Sequence, residues 1–209
     1  MFGQNLVNSL DHMLRWIIKI AWLNALWIVF TCIGLIVAGV FPATTAALGM
    51  ARKWNRGQTE VSVLKEYKQL WKENFWQANA VGWIMTVIGG VLFLNYQVLR
   101  QLENQIPIIV VFAFYLVIFF YFITLAWVFP MLSHYQTKIW QYVKNAFIIG
   151  ISKLPYTIGI LFGMFVIIYF SLGFPSLLLF GTVSLMAVYI MFVGKLVFNK
   201  IDNQIGVQN

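Results

Sequence analysis

Apolar and charged positions along this chain are segregated into blocks instead of being interleaved. All twenty charged side chains fall into five short clusters: Asp11 to Lys19, Arg52 to Glu73, Arg100 to Glu103, Lys138 to Lys153 and Lys195 to Asp202. Between them run four uncharged stretches, Ile20 to Ala51 (32 residues), Asn74 to Leu99 (26), Asn104 to Thr137 (34) and Leu154 to Gly194 (41). A hydrocarbon core about 30 Å thick is crossed by roughly 20 helical residues, so every stretch is long enough to span a bilayer. The pattern predicts an all-α, polytopic transmembrane helical bundle forming a single membrane-embedded domain.

The second stretch gives one span, about 78–98, and the third gives another, about 106–132, with a short loop around Arg100. The fourth has to fold back on itself. Ser171-Leu172-Gly173-Phe174-Pro175 is the natural turn, since Gly relaxes it and Pro suits the first turn of a new helix, which makes spans of about 156–170 and 175–197. The first stretch allows either one span, Trp16 to Val40, or two short ones, about 16–33 and 35–53, folded at Gly34. With five spans and an outside N-terminus, the basic residues divide 11 inside to 3 outside; with six spans and both termini inside, they divide 13 to 1. The lysine and arginine bias of cytoplasmic loops favours six, with five as the alternative. The residues Gly39, Ala43, Ala47 and Ala51 recur every four positions and predict a small-residue ridge that lets helices approach closely in lipid. Gly82, Thr86 and Gly90 share a face of the next span, and Gly159 with Gly163 forms a GxxxG; all are read as packing positions.

Three charged segments carry an apolar stripe. In 59–76, Val61, Leu64, Tyr67, Trp71 and Phe75 recur at spacings of 3, 3, 4 and 4, with Lys65, Lys68 and Lys72 on other faces. This predicts an amphipathic helix lying on the inner membrane surface. A second such helix is expected over 138–151, and a third over Leu6 to Ile17. Together they offer either lipid anchoring or a docking surface for a partner.

Composition sharpens the class: 61% hydrophobic residues, 18% aromatic and only 10% charged are incompatible with a water-soluble domain of about 25% charged residues. The net charge of +8 sits beside the spans, which points to anionic lipid and away from nucleic acid. A lone cysteine, Cys32, has no internal partner. No span contains Asp or Glu, and the only Lys and Arg within the span bounds, Lys19, Arg52, Lys53 and Lys195, lie near span ends, so proton relays through internal carboxylates are disfavoured. The neutral Asn24, Thr31, Asn79, Thr86, Asn95, Thr124 and Thr182 either line a pathway or bond helix to helix. Recognisable enzyme, metal and phosphate-loop motifs are missing, so a non-enzymatic protein with no cofactor is expected, and His134 with Tyr135 reads as an interfacial pair.

Gly39-Val40-Phe41-Pro42-Ala43-Thr44-Thr45-Ala46-Ala47-Leu48, then Arg52-Lys53-Trp54 and Gly57, then Trp71-Lys72-Glu73-Asn74-Phe75, resemble the YesL family of bacterial integral membrane proteins. That resemblance implies a multi-pass protein of the bacterial cell membrane. It also implies an accessory role in carbohydrate or oligosaccharide uptake, with sugar ABC transporter permease subunits as partners. The family supplies no catalytic residue, so Phe41, Pro42, Thr44, Thr45, Arg52, Lys53, Trp54 and Gly57 stand as motif positions. An independent transporter or channel is the alternative.

Overall fold

A computed structural model of the chain describes residues 2–102 and 106–205, except for the side chains of residues 2–8, 12, 204 and 205. The expected amphipathic segment from Leu6, the loop through Glu103 and both chain ends therefore fall partly or wholly outside the described residues. Eight helices are described: α1 (Phe2–Ile33), α2 (Val40–Asn55), α3 (Val63–Gln101), α4 (Ile108–His134), α5 (Ile139–Ser152), α6 (Leu154–Gly173), α7 (Pro175–Phe180) and α8 (Thr182–Ile205). Five of them contain stretches long and apolar enough to cross a membrane: Ser9–Ile33, Val63–Gln101, Ile108–His134, Leu154–Gly173 and Thr182–Asn203.

The first uncharged stretch folds into two antiparallel helices. Trp16 meets Trp54 edge to face, and Trp27 donates to Thr44 Oγ1 at 3.1 Å. The turn between them, residues 34–39, is tight enough that a Cβ on Gly34 would collide with the Gly39 backbone, and one on Gly39 with the Thr31 carbonyl. Leu35 and Ile36 take positive φ, 56° and 62°, a region that residues other than Gly rarely adopt, β-branched Ile least of all. The turn satisfies its own backbone: Ile36 N–H donates to Thr31 O and Val40 N–H to Ile36 O. Internal bonding of this kind suits an apolar tip in contact with lipid. The returning arm, α2, has 16 residues and is about 24 Å long. It begins at Val40, later than the expected second span of 35–53, because residues 34–39 are used by the turn.

Helix α2 is the centre of the molecule, packed by α3, α8, α4 and α1. Its small residues permit this: Ala43, Ala46, Ala47, Gly49 and Ala51 are buried. Around it the largest enclosed side chains are Trp127, Tyr67, Tyr142 and Phe198.

Helix α3 corrects one expectation. From Val63 on, the expected interfacial helix and the span 78–98 are one uninterrupted 39-residue helix, while residues 59–62 precede it as a turn. The apolar stripe that suggested a helix lying on lipid is instead used against the protein. Tyr67 and Trp71 pack on Phe30, and Leu70 fills the space over Gly49. Leu64 of the stripe stays exposed, and the helix continues along its axis into the span. The N-terminal stripe behaves differently, since Leu10, Met13, Leu14 and Ile17 are exposed along a continuous α1.

Past Met85 and before Ile123, residues 86–101 of α3 and 108–122 of α4 are exposed or half-buried. They form an arm held at its base by Tyr121, whose hydroxyl donates to Met85 O at 3.1 Å. The fourth stretch turns at Phe174 as expected, but its second limb is divided. Short α7 is separated from α8 at Gly181.

The basic segments gather at one end of the bundle. Lys19 Nζ donates to Thr59 O at 2.9 Å, Arg52 Nη1 to His134 O at 3.1 Å and Lys195 Nζ to Asn55 O at 2.6 Å. These bonds bring α1, the α2–α3 turn, the C-terminus of α4 and the second half of α8 to a common level.

Candidate functional site

The motif positions resolve into two groups along α2. At its N-terminus Pro42 is tolerated in the first helical turn, where its missing N–H is not needed. Phe41 is wedged against Gly82, stacks on Phe129 at 6.1 Å and meets Trp83 edge to face. Thr44 Oγ1 donates to Val40 O at 2.7 Å while accepting from Trp27, and Thr45 Oγ1 donates to Phe41 O. Tyr67 O–H donates across to Ala43 O at 2.8 Å. This end of the motif ties α1, α3 and α4 onto α2.

The C-terminal group faces the basic end. Trp54 is buried, Lys53 pairs with Glu66, and Gly57 (φ +87°) supplies the left-handed turn that reverses the chain into α3. Arg52 crosses to the last carbonyl turn of α4 at His134, where a cation complements the helix C-terminus. Burial and the nearby Arg56 lower the Arg52 pKa, yet a guanidinium remains charged throughout the accessible pH range. Lys65, Lys68 and Lys72 are exposed on the outer face of α3.

Against the α4 terminus lies a buried polar cluster. Asp202 accepts from Tyr135 O–H at 2.7 Å and lies 3.3 Å from His134 Nε2, with both side chains of the His–Asp pair nearly enclosed. Phe198 stacks on the imidazole at 4.5 Å. Burial, together with the hydrogen bond and charge of Asp202, raises the Tyr135 pKa, so the phenol stays a donor. The adjacency of His134 and Tyr135 is visible in sequence, but their acidic partner, 68 and 67 positions away, is not. The extra signal is that Asp202 is the sole acidic residue after Glu103.

Of the neutral polar residues, Asn24, Asn79 and Thr182 tie separate segments together. Asn24 clips the α7–α8 break, donating to Leu179 O at 2.6 Å and accepting from Val183 N–H at 3.1 Å. Asn79 Nδ2 donates to Ala38 O and Phe75 O, and Thr182 Oγ1 to Ser171 Oγ and Leu177 O. Thr86, Asn95 and Thr124 each return a bond to the carbonyl four residues back. Thr31 Oγ1 is buried without a hydrogen-bond partner among the described residues.

Of the packing glycines, Gly39, Gly82 and Gly163 are sites of close approach, the last against the Tyr189 ring. Gly90 and Gly159 face open space, and the contact expected at Gly90 falls on Gly89, against Tyr121. Gly159 contributes its carbonyl, which accepts from Tyr189 O–H at 2.6 Å.

Beside Tyr135, α4, α5 and the end of α8 enclose a groove of ≈ 520 Å³, its floor formed by Met131, Ile148, Ile149 and Ile201.

Fold and site together define a helical membrane protein whose motif is a packing device at the hub of the bundle. The chain belongs to the family described as "Protein of unknown function, DUF624", which it matches over residues 20–96, a YesL-like group. The uncharacterized protein YteU of Bacillus subtilis is 34% identical, over 95% of this chain and 90% of its own length. YesV of the same organism is 31% identical, covering 90% of each chain, and YesL is 28% identical, over 96% of this chain and 94% of its own. No solved structure matches.

Proposed function

We propose that the protein is a non-enzymatic accessory or scaffold subunit of the cell membrane that associates with a carbohydrate uptake system, such as the permease subunits of a sugar ABC importer. The observation that carries the scaffold half of this reading is how the neutral polar side chains are used. Those that would line a conducting pathway, Thr31 apart, instead bond helix to helix or to their own backbone, around a hub helix whose alanine ridge is closed by side chains. The carbohydrate half rests on the family resemblance. Exposed Lys65, Lys68 and Lys72 and the apolar α3–α4 arm supply surfaces for a cytoplasmic and a membrane contact.

Gentle solubilisation followed by co-purification tests the association. Sugar permease subunits should travel with the wild type, and less so with the triple change of Lys65, Lys68 and Lys72 to Gln. A protein isolated repeatedly as a lone protomer, whose deletion leaves oligosaccharide uptake intact, would overturn the proposal. Reconstituted liposomes should show no solute flux from this chain alone; flux would establish the transporter alternative.

A further inference from the structure

The groove beside Tyr135 combines an apolar floor with a cationic rim. Its volume, ≈ 520 Å³, falls within the range of about 300–1,000 Å³ typical of ligand sites. Lys153 and Asn145 line it above the four apolar floor residues. Between Glu103 and Asp202 the sequence holds five lysines and no acidic residue. Asp202 itself is turned inward, 6% exposed and bonded to Tyr135. The charge facing an occupant is therefore positive.

The setting indicates where that occupant comes from. Helix α5, one wall of the groove, exposes Trp140 (74%), Phe147, Ile148 and Ile151. An indole beside lysines and apolar side chains marks headgroup depth in a bilayer. A molecule entering at this depth, apolar along one part and anionic at the other, is a lipid.

We propose that this groove binds one anionic phospholipid from the adjacent leaflet. An acyl chain lies along Met131, Ile148, Ile149 and Ile201, and the phosphate is held by the Lys153 ammonium with the Asn145 amide as a further donor. Tyr135, its hydroxyl committed to Asp202, forms the inner wall. The proposal goes beyond the accessory role and does not depend on it.

The test is native mass spectrometry of the delipidated protein after adding back phosphatidylglycerol or phosphatidylcholine. One phosphatidylglycerol per chain should be retained about fivefold more strongly than phosphatidylcholine, the effect expected of one lysine near an anionic headgroup. Lys153→Gln should abolish that preference without changing the melting temperature. Ile148→Trp, a filling change at an exposed floor position, should displace both lipids. Lys65→Gln, remote on α3, should leave retention unchanged. The site is overturned if Lys153→Gln binds like wild type, if Ile148→Trp retains both lipids, or if Lys65→Gln weakens binding as much as Lys153→Gln. It is equally overturned if a photoreactive probe at Ser152→Cys, in a Cys32→Ser background and in native membranes, captures a protein instead of lipid.

Discussion

Ala47 is a position where a few added atoms have large consequences. It is 1% exposed on the face of the hub helix, so the extra carbons of Ala47→Leu have no space to enter. Overpacking of this kind costs about 1–3 kcal/mol, and the expected result is a lower melting temperature in detergent whatever the protein's activity. Asp202 is the opposite case, a group whose loss strands its partners. Asp202→Ala leaves the Tyr135 hydroxyl and His134 Nε2 buried without an acceptor, at a cost of about 1–3 kcal/mol. Asp202→Asn, which keeps an acceptor oxygen, should cost less; equal melting temperatures for the two variants would refute this account. Some of this was legible at residue scale. Spacing alone locates the alanine ridge, because a four-residue recurrence is a property of the helix itself. It does not separate Gly89 from Gly90, because which glycine a neighbour reaches depends on where Tyr121 arrives from another helix.

At the scale of elements, an amphipathic stripe states that a face is apolar but not what covers it. Residues 59–76 were expected on lipid and are found against Phe30 and Gly49, and this choice decides whether α3 bends. Spin labels at Gln69 and Gln97, in a Cys32→Ser background, should lie about 42 Å apart along one helix, against about 32 Å if the chain turned a right angle near Gln77. The α7–α8 break is a second element that the pattern does not announce. Gly173 and Pro175 punctuate the sequence, but Gly181, beside Thr182, sits in an uncharged run with no proline to mark a break. What fixes the break is Asn24, distant in sequence and read there simply as a neutral polar residue. Asn24→Leu should remove both of its clip bonds and speed amide exchange at Val183 and its neighbours, leaving exchange in α2 unchanged.

For the whole molecule, charge segregation reveals the class and the bundle, while the hub position of α2 emerges only from three-dimensional packing. The sequence offers residues 35–53 as a short span, but that its 16-residue helix is packed by four others is visible only in the fold. The bonds Lys19 to Thr59, Arg52 to His134 and Lys195 to Asn55 require the α2–α3 turn, the α4–α5 turn and the end of α8 to share one end of the bundle. The end of α3 lies at the far end of the arm. The lysine and arginine bias predicts that the shared end faces the cytoplasm. Single cysteines at Gln58, Gln136 and Asn199, again in a Cys32→Ser background, should therefore react with a membrane-impermeant maleimide only after permeabilisation, and one at Gln101 in intact cells. Uniform reversal would leave the bundle standing and invert its orientation. A division of the first three positions between compartments would be incompatible with the hydrogen bonds that join them, and the packing around α2 would have to be abandoned with it.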